Sequence, residues 1–222
     1  MDSFNDPEVE RIVVMTSSQV GKTELLNNIL GYFIHHDANG PCLVLMPTLE
    51  MSRAWSVDRL APMIENTPAL KDLIGDPKSK DGDNTILQKI FFNGARVSIA
   101  GTNSAASLAS RPIRILLMDE VDRYPPSAGV EGDVISLASR RTQNYFNRKI
   151  AMFSTPTIKG ASRIEAAFEQ SDQRFFELQC ECGHWQALKW SHVQWDEDRP
   201  ETARIICEEC ETAWTDIERK QK

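Results

Sequence analysis

The stretch Arg11–Thr23, RIVVMTSSQVGKT, read together with Ile115–Glu120, ILLMDE, decides the fold. Ile12–Met15 is a short aliphatic, β-branched run, the composition of a strand in a parallel sheet. It gives way to the small polar residues Thr16–Gln19, which can loop. The candidate phosphate cradle is Ser17, Ser18, Gln19, Val20 and Gly21, with Gly21 permitting close backbone approach. Lys22 supplies a point positive charge for β- and γ-phosphates, and Thr23 a hydroxyl for Mg²⁺. Leu25, Leu26, Ile29, Leu30 and Phe33 then follow at helical spacing, which predicts a helix over Lys22–His36 whose N-terminus favours anions. The usual pattern is G-x-x-x-x-G-K-[ST], and here Thr16 stands at the first glycine. An ordinary strand-to-helix turn with an exposed lysine carries the same letters GKT, so the flanking strand and helix give the match its weight.

Ile115–Met118 predicts a second buried strand. Asp119 closes it at the C-terminal end, where open α/β sheets place their ligands. A carboxylate there can hold Mg²⁺ directly or through water. Glu120 follows and can polarise an attacking water. A third apolar run, Lys149–Phe153, ends in Ser154, Thr155 and Pro156. This small-hydroxyl ending is typical of the nucleotide-state sensor of helicase-like ATPases, and a plain turn is the bland alternative.

At 222 residues the chain can bury one good core and a small appendage. Its 41% hydrophobic and 26% charged residues are ordinary for a soluble globular protein. No apolar run approaches the ~20 residues of a membrane span, and the polar, acidic start MDSFNDPEVER is not a secretory signal. The net charge of −7 argues against wholesale coating by nucleic acid but leaves room for local contacts. Arg140, Arg141, Arg148 and Lys149 are candidates for those contacts, a solvated surface being the alternative for each.

Residues 1–160 alternate strand and helix patterns, which favours a mainly parallel sheet. Strands are expected at Ile12–Met15, Leu43–Met46, Ile86–Phe92, Arg96–Ala100, Ile115–Met118 and Lys149–Phe153. Helices are expected at Lys22–His36, Leu49–Glu65, Gly132–Tyr145 and Ser162–Gln170. Asn93-Gly94 signals a tight hairpin. Lys78–Asn84, KSKDGDN, reads as a polar loop.

From about Phe175 the texture changes, with four of the five cysteines and four of the five tryptophans beyond it. Cys180 and Cys182 form C-x-C, Cys207 and Cys210 form C-x-x-C, and 24 residues lie between the pairs. Two cysteine pairs at this separation resemble a zinc ribbon, four thiolates around one Zn²⁺. The first pair is one residue short of the usual knuckle, which makes His184 a possible substitute ligand. Reduced buried cysteines, or a degraded site, are the alternatives; disulfides are not expected without a secretory signal. Cys42 reads as core.

With both segments and the tail in view, the chain resembles the ATPase region of phage terminase large subunits of the GpA type. The stretches that carry the resemblance are SSQVGKTE, PTLEMSRAWSVDRLAPMI, GTNSAASLASRPIRILLMDEVDRYP, RKIAMFSTPT and the cysteine segment with CGHWQALKW. The resemblance spans roughly residues 7–215, and the run Gly101–Pro125 is far more specific than a generic P-loop pair. The resemblance implies an α/β P-loop NTPase with a mainly parallel RecA/helicase-like (ASCE) sheet flanked by helices over residues 1–174. A small cysteine-rich, zinc-ribbon-like appendage would follow over 175–222. It implies ATP hydrolysis that drives double-stranded DNA into a procapsid, with Mg²⁺ and Zn²⁺. The expected partners are the terminase small subunit, the portal protein and further copies of the chain on the portal. The setting would be the host cytoplasm, with no membrane involved. By position, Lys22 and Thr23 match the family's phosphate and magnesium residues, Asp119 its metal carboxylate, Glu120 its catalytic carboxylate, and Ser154 and Thr155 its coupling motif. The family's C-terminal nuclease domain and its upstream adenine-contacting segment are expected to be absent from these residues.

Charge neutralisation at the γ-phosphoryl calls for an arginine. Arg53, Arg59, Arg111 and Arg140 are the candidates, with Arg53 favoured for a role in cis. Two rival readings stand beside the motor. One is a fragment of an SF2-type DNA helicase or translocase, against which the single sheet's worth of strands argues. The other is a non-catalytic prophage remnant that binds DNA or a capsid partner.

Overall fold

The computed structural model describes residues 2–75, 84–103 and 112–215. The expected loop Lys78–Asn84, except Asn84, and the candidate Arg111 lie outside the described residues. The chain forms two compact units, Met1–Ser171 and Asp172–Lys222.

The first unit is built on a six-stranded sheet. Its strands are β1 (Arg11–Met15), β2 (Pro41–Met46), β3 (Gln88–Ile90), β4 (Arg96–Gly101), β5 (Ile115–Asp119) and β6 (Lys149–Ser154), in the order β1-β6-β5-β2-β4-β3. All neighbours run parallel except β3, which pairs antiparallel with β4. The β3–β4 connection is the hairpin that Asn93-Gly94 signals, although β3 is shorter than the expected Ile86–Phe92. The expected parallel α/β sheet is therefore present, with one antiparallel edge.

Alternation along the strands sorts the core into two layers. Ile115, Leu117, Val44, Met46 and Phe153 face Leu26, Ile29, Leu30, Phe33 and Ile34 of helix α2 (Lys22–His36). Leu116, Met118, Leu43, Leu45 and Met152 pack with Val134 and Ala138 of α6 (Val134–Arg140) and Ile164 of α7 (Arg163–Glu169). Both faces of the sheet are covered, as continuous apolar strands require. The four-residue α1 (Asp2–Asn5) drops Phe4 into the first layer. Helix α6 is shorter than the expected Gly132–Tyr145, because turns replace it after Arg140.

The expected helix Leu49–Glu65 forms as α3 (Leu49–Trp55), a π-helical turn (Ser56–Leu60) and α4 (Ala61–Asn66), followed by the short α5 (Pro68–Lys71). Its buried positions Ser52, Ser56, Leu60 and Ile64 recur every four residues. On a straight α-helix each step of four drifts about 40° around the axis. A wider turn takes that drift back and keeps Leu60 and Ile64 on the core side. Gly101, at the end of β4, abuts the start of α3. A Cβ there would lie 2.4 Å from the Leu49 N and 2.6 Å from the Thr48 carbonyl carbon, so only glycine lets the strand end this close.

Two of the proposed nucleic-acid contacts have structural partners instead. The Lys149 ammonium is buried and donates to the carbonyls of Asp6 and Val9. Arg148 pairs with Glu10 at 2.8 Å. Both tie the N-terminal segment to the sheet.

The second unit holds a two-stranded pair, β7 (Glu177–Gln179) and β8 (Trp185–Ala187), and a three-stranded sheet of β9 (Val193–Asp196), β10 (Arg199–Ile206) and β11 (Ala213–Trp214). Leu178, Cys180, Cys207 and Trp214 form its small core.

Candidate nucleotide site

Parallel strand order brings the site together. β6 lies between β1 and β5, with Met15 opposite Ser154 on one side and Asp119 opposite Phe153 on the other. The C-terminal ends of three strands, carrying the loop, the acid pair and the Ser-Thr pair, therefore meet at one edge of the sheet.

Helix α2 starts at Lys22 behind Gly21, whose φ of 89° is left-handed and which supplies no side-chain cap. The first-turn N–H groups thus remain available to an anion. Gln19 is also left-handed, at φ 59°. Lys22 is only 7% exposed and turns inward. Its ammonium donates to the Ser17 carbonyl at 3.3 Å and the Thr155 hydroxyl at 2.9 Å, and lies 3.8 Å from Glu120. Thr23 donates its hydroxyl to Asp119 at 3.3 Å. Asp119 is buried; that burial, and then the Glu120 charge beside it, push its carboxyl up to about 6 against hydrogen bonds from Thr23 and the Glu120 N–H. A divalent cation at this carboxylate would favour its ionised form.

Glu120 sits at φ 53°, ψ 49°. A left-handed glutamate costs roughly 1–2 kcal/mol. The turn aims its carboxylate between Lys22 and Arg123, the latter 3.7 Å away.

These groups line a cleft of about 670 Å³ whose walls include Gln19, Lys22, Thr23, Asp119 and Glu120 on one side. Met51, Asp58 and Arg59, from α3 and the π-helical turn, stand on the other. Arg59 also lies 3.7 Å from Glu24 of the first turn of α2. Arg53 is exposed and does not line the cleft, and neither does Arg140. A larger cavity of about 900 Å³ lies along β2 and β4, and among the described residues its lining has no carboxylate and no lysine.

Two residues escaped the sequence reading. Arg123 reaches Glu120, and Asp122 ties the acid strand to the segment after β6. The Asp122 N–H donates to the Ser154 hydroxyl at 3.3 Å. Its carboxylate accepts from the Thr157 N–H at 2.9 Å, the Thr157 hydroxyl at 3.0 Å and the Ile164 N–H at 2.8 Å. The only local signal is an aspartate two residues beyond Glu120, and its partners lie more than thirty positions away.

In the second unit the thiols of Cys180, Cys182, Cys207 and Cys210 lie within 4.8 Å of one another. Cys180–Cys210 is 3.6 Å and Cys182–Cys207 3.9 Å. His184 is not in this group. Cys42 is fully buried between strands, and burial pushes its thiol far up.

A mostly parallel α/β sheet whose helix-leading loop and acid strand converge at the C-terminal edge defines the class: an open α/β protein, the architecture that places ligand sites at that edge. Residues 1–222 match the family described as phage terminase large subunit gpA, ATPase domain, and the chain belongs to that family. Among curated relatives, the terminase large subunits of Enterobacteria phage P21 and Escherichia phage lambda are each 26% identical over 216 residues. The alignment covers 94% of this chain and 34% of each relative, so the chain spans about a third of their length. Among solved structures, the HK97 bacteriophage large terminase superposes with a TM-score of 0.59 at 13% identity, over 72% of this chain and 32% of that one. That likeness speaks to the fold. Among the described residues, no helix is long and apolar enough to cross a membrane.

Proposed function

We propose that this chain is the ATP-hydrolysing motor region of a terminase large subunit, acting on double-stranded DNA during packaging into a procapsid. The observation that carries the reading is the meeting of Lys22, Thr23, Asp119 and Glu120 in one cleft, with Thr155 against the lysine. The backbone N–H groups of Ser17 to Gly21 and the first turn of α2 would cradle the β-phosphate, with Lys22 reaching the γ-phosphate. Thr23 and Asp119 would hold Mg²⁺, which neutralises charge on the phosphate oxygens. Glu120 would orient a water and accept its proton as the oxygen attacks the γ-phosphorus and ADP leaves. An ammonium has three donors. A γ-phosphate oxygen would compete with Ser17, Thr155 and Glu120 for Lys22, which couples Thr155 to the nucleotide and frees Glu120 for water. β6 inserted between β1 and β5 supports the RecA/helicase-like (ASCE) reading, and residues 1–174 would form that domain.

For the arginine, Arg59 on the cleft wall is better placed in cis than Arg53. In the tail, residues 175–222, the four cysteines suit zinc. A tetrahedron with Zn–S bonds near 2.3 Å has sulfur–sulfur edges of about 3.8 Å, close to the spacings of the cluster. Cys180, Cys182, Cys207 and Cys210 would hold the ion and supply the tail with a cross-link that its small core lacks. The small subunit, the portal and neighbouring copies are the partners that this role requires, in the host cytoplasm. A helicase fragment is not favoured, because the family match covers the whole chain.

The test is nucleotide binding and ATP hydrolysis by the purified chain and by Lys22→Ala, with and without duplex DNA. The wild type should bind ATP with Mg²⁺, and Lys22→Ala should lose both binding and turnover. Absence of nucleotide binding by the wild type would overturn the reading.

A further inference from the structure

Asp122 is the best-connected side chain near the cleft that the proposed chemistry does not use. Its carboxylate joins the turn after the acid strand to one continuous stretch more than thirty positions away, the segment that follows β6 and the first turn of α7. One oxygen accepts the Ile164 N–H at 2.8 Å; the other accepts both the N–H and the hydroxyl of Thr157, at 2.9 and 3.0 Å. Its own N–H holds the Ser154 hydroxyl at 3.3 Å.

The segment between is fixed at its far end as well. Ser162 caps α7 by accepting the Glu165 N–H at 3.1 Å, and Glu165 reaches back to the Gly160 N–H at 2.8 Å. These two bonds tie residues 160–165 into one corner. Residues 154–164 are therefore pinned at Ser154, Thr157 and Ile164 by Asp122 and closed by the cap. The one side chain in this span that reaches the phosphate loop is Thr155, 2.9 Å from the Lys22 ammonium.

We propose that Asp122 is the positioning residue that makes Thr155–Ile164 move as one body with α7 when the nucleotide competes for Lys22. A carboxylate held by the Ile164 N–H, the Thr157 N–H and hydroxyl and the Ser162 hydroxyl suits such a joint, since charge-assisted bonds are about twice as strong as neutral ones. Asp122 touches neither the phosphates nor the water. It sets where Thr155 meets Lys22, and it sits two residues from Glu120. The inference rests on the nucleotide-site reading above.

The test compares wild type with Asp122→Asn. The amide keeps the side-chain shape but has one acceptor oxygen in place of two, so an NH2 group must face either the Ile164 N–H or the Thr157 N–H and hydroxyl. Amide hydrogen exchange is followed with and without a non-hydrolysable ATP analogue and Mg²⁺, alongside binding of a fluorescent nucleotide and single-turnover hydrolysis. In the wild type the analogue should change exchange both at residues 16–23 and at 155–164. In Asp122→Asn the change at 16–23 should persist, with nucleotide affinity within about threefold of wild type, while the change at 155–164 is lost and hydrolysis falls at least tenfold. A Thr157→Val variant, which removes one donor to the same oxygen, should show a weaker version of this split. A response at 16–23 but equal responses at 155–164 in both proteins would overturn the inference alone, as would wild-type hydrolysis by Asp122→Asn. Affinity and hydrolysis falling together would mean a merely structural role and would also overturn it. No response at 16–23 in the wild type would overturn the nucleotide-site reading, and this inference with it.

Discussion

Glu120→Gln separates chemistry from architecture at this site. The substitution keeps the shape and the left-handed backbone and removes only the charge. Lys22 would still have the Ser17 carbonyl and the Thr155 hydroxyl as acceptors, and Asp119 as a nearby carboxylate, so its buried ammonium is not left without partners. The pair with exposed Arg123, at 3.7 Å, is worth under about 1 kcal/mol; the buried Lys22 pair, at 3.8 Å, is beyond hydrogen-bond length, and Asp119 stays beside Lys22 as a counter-charge. Against that loss stands relief for Asp119, whose carboxyl is pushed up partly by the Glu120 charge and should move back down. The melting temperature should therefore shift by less than about 3 °C. ATP should bind at least as tightly, because one negative charge near the γ-phosphate is gone. Hydrolysis should fall by roughly 10²–10⁴, the usual contribution of a positioned general base. Glu120→Gly gives the complementary measurement. Releasing about 1 kcal/mol of left-handed strain offsets the usual cost of glycine, so this variant should also melt near wild type and not turn over. The assays are single-turnover hydrolysis, equilibrium binding of a fluorescent nucleotide, and thermal melts. Wild-type hydrolysis by Glu120→Gln would refute the assignment of Glu120. A melting loss of 10 °C or more would refute the claim that its contacts are energetically minor.

Gly101→Ala places a methyl against the Leu49 and Thr48 backbone, so it should cost about 1–3 kcal/mol or more in chemical denaturation. On the proposed zinc reading, atomic absorption should find one zinc per chain, chelation should remove it and unfold the second unit, and Cys207→Ser should not retain it, while melting of the first unit persists. Asp122 gives a pH signature. Its burial alone would raise the carboxyl pKa, but hydrogen bonds from Ile164, Ser162 and Thr157 outweigh it and hold the carboxyl below its ordinary value. A depressed folded pKa contributes stability that is present above the unfolded value near 3.9 and lost as pH falls through the folded one. The stability gap between wild type and Asp122→Asn should thus be constant at neutral pH and shrink below about pH 4 in denaturant titrations.

Where the determinants were local, the sequence was readable. The helix Lys22–His36 has its predicted bounds because apolar spacing fills one face and Gly21 precedes it. Asn93-Gly94 marked the hairpin, and the aliphatic runs marked the strands, because those signals lie within a few residues. The π-helical turn was hidden, since a spacing of four fits an α-helix over any short window and drifts only over three steps. Arg148 and Lys149 read as surface cations because Glu10 and the carbonyls of Asp6 and Val9, their partners, come from the other end of the unit. Arg53 and Arg59 could not be ranked by letters on one helix; the cleft wall distinguishes them. Asp122 was illegible for the same reason as Lys149: its partners are brought to it by the sheet.

The position of β6 has a mechanical consequence. Every residue of this strand is buried, and it is hydrogen-bonded along its length to a neighbour on each side. A strand clamped in that way behaves as a stator. It cannot slide without breaking two ladders at once, so the sheet is a poor conduit for displacement. On the proposed function, work done at the nucleotide would leave through the residues just past Ser154, where the ladders stop and Thr155 begins.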